Sequence, residues 1–306
     1  MFLGTSGAVP TVDRGSAAVL LIRGGERILI DCGEGTQRQL MRSAGLAHIG
    51  MILVTHLHGD HYLGLPGLLK TLSLQGREEP LLMFGPIGLY ELLRDVERLV
   101  GRPRFPFLVE EARPGTVLET DDYWLRAAPT EHGLPGLAWC LEEKARAGLF
   151  HPEWAVAFGV IPGPDFGRLQ RGEVVVSSTG REVHPHEVME ESRQGRKIVV
   201  TGDTRPTQAV IELARSASVL IHDSTFAWSE HERALEKGHS TAREAAEVAA
   251  AAEVQTLVLT HLSSRHNWRE LQDEARAVFP NSVLPRDFDA LVVPYPEKGI
   301  ARLERV

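Results

Sequence analysis

One run constrains this chain more than any other: Ile52-Leu53-Val54-Thr55-His56-Leu57-His58-Gly59-Asp60-His61. Ile52, Val54 and Thr55 are apolar or β-branched and read as a buried strand. Strand periodicity puts His56 and His58 on the same face. Gly59 is read as the point where the backbone turns sharply, bringing Asp60 and His61 back toward the two imidazoles. Three imidazoles and a carboxylate within six residues suit a first-row metal ion, and zinc favours such donors. The alternative is a solvated polar turn beside two core histidines. It leaves buried imidazoles without partners, which is costly.

The rest of the chain is long enough to build what such a site needs. Its 306 residues allow one large α/β domain with a substantial core, or two smaller ones. With 43% hydrophobic and 24% charged residues, general disorder is excluded. No apolar run reaches membrane-spanning length, and Met1-Phe2-Leu3-Gly4-Thr5 lacks the basic start of a secretory signal. Cys32 and Cys140 are the only cysteines, too few for a disulfide framework, which points to a reducing cytoplasm. A net charge of −8 argues against nucleic acid. Two bound divalent cations would reverse that locally, adding about four positive charges where a phosphate would sit.

Further strand ends carry similar chemistry. The small-residue loop Leu3 to Pro10 reads equally as an anion-holding nest and as a structural turn. Arg27 to Asp31 is a strand, and Asp31 at its end reads as a partner that orients a ligand histidine, or as a helix cap. Trp124 to Ala128 is a strand that leads to His132, placed where a third histidine ligand belongs. Lys197 to Val200 leads through Gly202 to Asp203, well placed to bridge two ions. Val219 to Ile221 ends at His222 and Asp223, and Thr256 to Thr260 ends at His261. His239 precedes an Ala-rich helix starting near Ala242. The helix dipole there is expected to disfavour the imidazolium and ease proton release.

One stretch, from about 144 to 172, breaks this rhythm. It is rich in Gly and Pro, reads as irregular, and interleaves Phe150, Trp154, Phe158 and Phe166 with charge. Lys144, Arg146, Arg168 and Arg171 stand against Glu153 and Asp165, a net +2 in an acidic chain. It reads as a solvated loop with an aromatic mini-core, or as a projecting arm that grips a polyanion or a partner subunit.

The segment Thr55 to His61 resembles the His-x-His-x-Asp-His signature of the metallo-β-lactamase superfamily. The resemblance narrows with Leu3 to Thr11, Asp31 to Gln37, Thr201 to Pro206, Gly238 to Thr241, and the Gly-x-Pro-Gly-Pro-x-Phe-Gly-like run Val160 to Gly167. Together these resemble the ribonuclease Z family of tRNA 3′-processing endonucleases, over essentially the whole length. The resemblance implies an αββα sandwich, a single domain over 1–306, with an inserted flexible arm at about 144–172. It implies a zinc-dependent endoribonuclease that removes the 3′ trailer from precursor tRNA and leaves a 3′-hydroxyl. Two zinc ions are implied: His56, His58 and His132 on one, Asp60, His61 and His261 on the other, with Asp203 bridging. Asp60 is then a proton acceptor, His239 the proton donor to the leaving oxygen, and Asp223 a candidate orienter of an imidazole. Lys144, Arg146, Gly163, Pro164, Arg168 and Arg171 would contact substrate, with the arm reaching across a homodimer.

The family often carries Pro-x-Lys-x-Arg-Asn in the first loop, linked to sensing the CCA end. Here Pro10-Thr11-Val12-Asp13-Arg14-Gly15 keeps Arg14 but has Val12 and Gly15 at the Lys and Asn positions, so no particular response to a CCA end is implied. Manganese or iron also suits histidine and carboxylate donors. Two rival readings use the same residues: a general metallo-phosphodiesterase or hydrolase of this fold, and a non-catalytic RNA-binding protein that has lost its metals.

Overall fold

In a computed structural model, residues 1–46 and 48–305 are described. Two sheets face each other. The first has six strands in the order Phe2–Gly4, Ala18–Arg23, Glu26–Ile30, Ile49–Leu53, Leu81–Gly85 and Phe107–Glu111. The second has seven, in the order Ser282–Val283, Leu257–Thr260, Val219–Asp223, Lys197–Val200, Leu137–Glu143, Tyr123–Pro129 and Gly115–Glu119. Their strands read as nearly continuous apolar runs because both faces of each sheet are covered.

Alternation within a strand sorts side chains between layers. Ile28, Ile30, Met51 and Leu53 point inward to meet Leu125, Trp139, Val200, Val219 and Ile221 of the facing sheet. Leu29, Ile52 and Val54 point outward, under the helices Thr36–Arg42, Leu65–Leu74 and Leu89–Val100. On the far side, Val199, Leu220 and Leu257 pack under the helices Gln208–Ala214, Ala242–Ala251 and Trp268–Val278. The alanines of Ala242–Ala251 let that helix lie close on its sheet. The layers are therefore α, β, β, α. Trp139 ties the two sheets together, its Nε1 donating to the Val54 carbonyl at 3.1 Å. Among the described residues no helix is long and apolar enough to cross a membrane.

The stretch expected to be irregular is not. It contains the short helices Pro152–Ala157 and Pro164–Gln170, each with proline in its first turn, where the missing N–H costs nothing. The unit also runs past 172. Residues 146–150 and 189–193 pair as an antiparallel stalk, with Arg146 and Arg193 exchanging both backbone hydrogen bonds at 2.8 Å. Gly148 permits this approach, since a Cβ there would lie 2.0 Å from the Glu190 carbonyl oxygen. Beyond the stalk, Ala155, Val160, Leu169, Val175, Val183 and Val188 form a separate small core, with Phe150, Phe158 and Phe166 packed against it. Over 144–196 the unit holds seven Lys and Arg against seven Asp and Glu, so the net +2 disappears once the structural boundary is used.

Candidate metal centre

The strand Ile49–Leu53 delivers Thr55 and His56 to the sheet's edge. The neighbouring strand Glu26–Ile30 delivers Asp31, held at φ 59, a conformation that non-glycine residues rarely adopt. That strain aims the Asp31 carboxylate at three donors: Thr55 N at 2.8 Å, Thr55 Oγ1 at 2.8 Å and His61 Nδ1 at 2.7 Å. Asp31 is thus the histidine partner of the two readings, and no helix cap. The turn itself differs from expectation. Gly59 keeps an ordinary φ, and the chain reverses by starting a one-turn helix, Gly59–Tyr62, with His58 as its extended N-cap. Asp60 and His61 fall in that turn, which is what swings them back.

From the other sheet, Gly202 turns the chain after Lys197–Val200 at φ 63, and a Cβ there would lie 2.6 Å from Thr55 Cβ. Only glycine lets the two strand ends approach this closely. Asp203 then points between two groups of imidazoles. Its Oδ2 lies 3.6 Å from His56 Nε2 and 3.5 Å from His132 Nε2, and 3.3 Å from His261 Nε2. Its Oδ1 lies 3.4 Å from His61 Nε2. His58 Nδ1 is 3.0 Å from His56 Nε2 and 3.1 Å from His132 Nε2. Asp60 Oδ2 is 3.2 Å from His261 Nε2 and 3.5 Å from His61 Nε2. All seven residues expected as ligands therefore converge. They form one group of His56, His58, His132 and Asp203 and another of Asp60, His61 and His261, beside the same Asp203.

The donor set fits divalent cations. His61 Nε2 and Asp203 Oδ1 are buried polar atoms with no hydrogen-bond partner among the described residues, a costly state in a protein interior. Four of the five ligand imidazoles, all but His58, also have a second contact that fixes the ring. His61 has Asp31, His56 Nδ1 has Thr55 Oγ1 at 3.1 Å, His132 Nδ1 has the Gly238 carbonyl at 2.7 Å, and His261 Nδ1 has Thr225 Oγ1 at 2.8 Å. Such contacts hold the other nitrogen's lone pair toward a metal. His261 adopts φ 57, a second strained residue at the site.

Electrostatics agree. Burial, reinforced by neighbouring imidazoles, pushes His56 well below the usual histidine range, and His58 is lowered for the same reason. Neutral imidazole is the ligand form. Burial also opposes a charge on His61, but Asp203 and Asp31 outweigh it and raise His61 well above that range. Burial raises Asp203, yet His261, His61 and His56 together hold it well below the carboxylate range. A proton on His61 Nε2 occupies the place a cation would take, so metal and proton compete there.

Beside the ligands, His239 Nδ1 sits 2.9 Å from Asp223 Oδ2 and 3.2 Å from Thr225 Oγ1. Asp223 is fully buried and also accepts from Thr204 N at 3.0 Å and Thr225 N at 3.0 Å. Thr241 caps the helix Ala242–Ala251 reciprocally with Glu244. The dipole expectation for His239 is overturned. Burial lowers its affinity for a proton, but the Asp223 carboxylate more than compensates and raises it to about 9. A full counter-charge in hydrogen-bond contact outweighs the half-charge of a helix end.

Several contributors were not anticipated from sequence. Thr225 touches both His239 and His261. The Ala8 amide donates to Asp60 Oδ2 at 3.1 Å, so the small-residue loop supports a ligand. Its other amides, on Ser6, Gly7 and Val9, bond to carbonyls of the protein, which favours a structural turn over an anion nest. Arg205 donates to the His239 carbonyl at 2.5 Å and pairs with Glu244, anchoring the His239 loop. Only its position two residues after Asp203 was visible in the sequence.

The residues expected to contact substrate lie apart, in the inserted unit. Lys144 pairs with Glu119 at 2.8 Å, and Arg146 with Glu297 at 2.6 Å. Arg168 pairs with Asp165 at 3.2 Å and Glu173 at 3.0 Å, and Arg171 with Glu173 at 3.2 Å. Gly163 and Pro164 open the helix Pro164–Gln170.

Residues 11–261 match the metallo-β-lactamase superfamily. Over 302 residues the chain is 44% identical to the Ribonuclease Z of Natronomonas pharaonis, covering 97% of this chain and 98% of that protein. Identity to the Ribonuclease Z of Methanothermobacter thermautotrophicus is 47% over 283 residues, covering 91% of each. This chain belongs to the ribonuclease Z family. Its structure aligns with the crystal structure of human tRNase Z, short form, at a TM-score of 0.72 and 28% identity, covering 96% of this chain and 98% of that one. The αββα layering of the ribonuclease Z family is thus the architecture here, and its His/Asp cluster is a divalent-metal site.

Proposed function

We propose that this chain is a zinc-dependent endoribonuclease that cuts the 3′ trailer from precursor tRNA and leaves a 3′-hydroxyl on the tRNA. The observation that carries the reading is the convergence of two donor groups on Asp203, with the Asp223–His239 pair beside it. His56, His58 and His132 would hold one zinc, Asp60, His61 and His261 the other, and Asp203 both. When bound, two ions so held would make water acidic enough to react at neutral pH and would stabilise the negative charge that develops at the phosphate.

The chain's own groups do the rest. Asp60, steadied by the Ala8 amide, accepts the proton of the attacking water. His239 keeps its proton on the strength of Asp223 and delivers it to the leaving 3′-oxygen. Cations on Asp203 and Asp60 would cancel two of the influences that raise His239, leaving Asp223 as its principal counter-charge. Thr225 holds His239 and His261 in one register.

The inserted unit is read as a tRNA-holding arm. Its charge is balanced and its cations are paired, so gripping phosphate requires those pairs to open. A homodimer would let each arm serve the partner's cleft. A reducing cytoplasm fits Cys32 and Cys140, which are free and buried.

Metal analysis tests the assignment. Wild type should hold about two zinc equivalents, and His61→Ala or His261→Ala should lose chiefly one. Two full equivalents in both variants would contradict the ligand set. Hydrolysis of bis(p-nitrophenyl) phosphate without precursor cleavage would favour a general phosphodiesterase, and RNA binding without metal would favour a non-catalytic binder.

A further inference from the structure

The arm leaves the seven-stranded sheet at Glu143 and returns at Arg196. Glu143 is buried and takes Arg196 through both carboxylate oxygens, at 2.6 and 2.8 Å, and Arg23 at 2.9 Å. This knot fixes where the stalk begins. It does not fix the stalk's direction, because two paired strands on a common root can still swing.

A second contact, formed by the C-terminal segment, does. Between the strand Ala290–Val292 and the short helical turn Pro296–Lys298, Tyr295 lies against the stalk. The Arg146 guanidinium carbon sits 3.4 Å from the centre of the Tyr295 ring, and that of Arg196 sits 4.6 Å from it. Arg146 Nη2 bonds Glu297 Oε1 at 2.6 Å, and the Glu297 charge also reaches Arg193 on the opposite stalk strand. Arg196 Nη1 donates to the Val293 carbonyl at 3.4 Å. Arg146 and Arg193 are the residues that exchange backbone hydrogen bonds across the stalk. One short segment, 293–297, therefore holds both strands of the stalk about 150 residues after the arm begins.

We propose that Tyr295 and Glu297 form a latch that sets the arm's direction and thereby its share of precursor binding. They are positioning residues acting through Arg146. The proposal rests on the reading of the arm as a tRNA-holding element. It also gives Arg146 a different task from the phosphate contact expected from sequence, since its plane is stacked and its Nη2 is engaged. A stacked, paired guanidinium is a pre-organised joint and a poor free hand. The gain is entropic: an arm held in one direction spares the substrate the cost of ordering it.

The test uses the full metal-loaded chain and four variants: Tyr295→Ala, Tyr295→Phe, Glu297→Gln, and a chain with residues 149–190 replaced by a short Gly-Ser turn. Tyr295→Ala should raise KM for a 3′-extended precursor tRNA about 5- to 20-fold, the range of a lost cation–π contact. Its kcat and its hydrolysis of bis(p-nitrophenyl) phosphate should stay at wild-type values. Tyr295→Phe keeps the ring and should behave as wild type. Glu297→Gln should show a smaller rise in KM, and it carries the test if Tyr295→Ala does not fold. Hydrogen exchange at the amides of Arg146 and Arg193 should quicken in Tyr295→Ala. Unchanged KM in Tyr295→Ala and Glu297→Gln, with a raised KM in the arm-replaced chain, would overturn the latch and leave the arm reading standing. Unchanged KM in the arm-replaced chain would overturn both. Equal loss of both activities in Tyr295→Ala would make Tyr295 part of the fold's core and overturn the latch.

Discussion

The metal cleft and the arm are built on opposite principles. In the cleft the functional side chains are buried: His56 and His61 are 1% exposed and Asp203 is 3% exposed. Each ligand imidazole but His58 has a second partner, and two residues accept rare backbone conformations to aim a carboxylate and a ring. In the arm the charged side chains are exposed or half-buried, and every arginine there except Arg196 at its root is paired with a carboxylate of the arm itself or of the C-terminal segment. Fixing ions and a bond in place requires donors that cannot move. On the proposed reading of the arm, holding a large polyanion remote from that bond would allow contacts that exchange a local carboxylate for a phosphate. The cleft therefore concentrates its energy in buried, directional contacts, whereas exposed ion pairs contribute little to stability and leave the arm free to re-pair.

The largest effect that would sharpen this contrast is expected inside the cleft. His239→Ala should slow precursor cleavage by about 10²- to 10⁴-fold, the worth of a positioned general acid. Zinc content and precursor affinity should stay near wild type. A variant that loses zinc would make His239 a ligand, and one that cleaves normally would remove it from the chemistry.

Next comes Asp31, which touches no substrate. Asp31→Asn keeps the shape but loses the charge that orients His61, and should weaken metal affinity about 10- to 100-fold. Competition with a chelator of known affinity measures this. Affinity unchanged within twofold would mean that His61 is aimed by packing alone.

A smaller effect is expected at the root of the arm. Arg196 and Arg23 hold the Glu143 carboxyl at about 2, against the ordinary value of 4.5, even though burial acts the other way. A depressed carboxylate stabilises the folded state above its unfolded pKa and loses that contribution as pH falls through its folded one. The melting temperature of Glu143→Gln should therefore lie below wild type at pH 6, by about 2–4 °C. The gap should close between pH 4.5 and about 2. A gap that persists unchanged at pH 2 would show that packing carries the interaction.

The smallest effect belongs to the arm's surface. Arg168→Ala should leave the melting temperature within about 1 °C of wild type, because both of its ion pairs are exposed. A calorimetric loss several times larger would mean that the arm shares the cleft's rigid construction.

The same contrast governs what the sequence makes legible. Strands buried on both faces write themselves as apolar runs, and a histidine or carboxylate directly after such a run is conspicuous. His56, His132, Asp203, Asp223 and His261 could all be read this way. The αββα order is legible through the family resemblance of the motifs, and not from these runs alone. The arm is not legible because its helices are of four to seven residues and its strands of two, too short for any periodicity to show. Its far boundary is set by pairing between 146–150 and 189–193, which no local pattern encodes. Asp31 was seen as a candidate, but its left-handed backbone was not, since nothing in Ile30-Asp31-Cys32 requires it. Thr225, Arg205 and Tyr295 act through neighbours that only the folded chain supplies, and each is of a type common on any surface.

On the proposed reading, one dinuclear site on these seven side chains cuts precursor tRNA at the end of the mature sequence. The direct measurement is incubation with a 3′-extended precursor tRNA, with and without chelator, followed by mapping of both product ends to the nucleotide. The expected result is a single cut, a tRNA ending in a 3′-hydroxyl, abolition by chelator, and restoration when zinc is returned. Cleavage that persists after the metals are shown to be gone, or a metal-loaded protein that leaves the precursor intact, would contradict it.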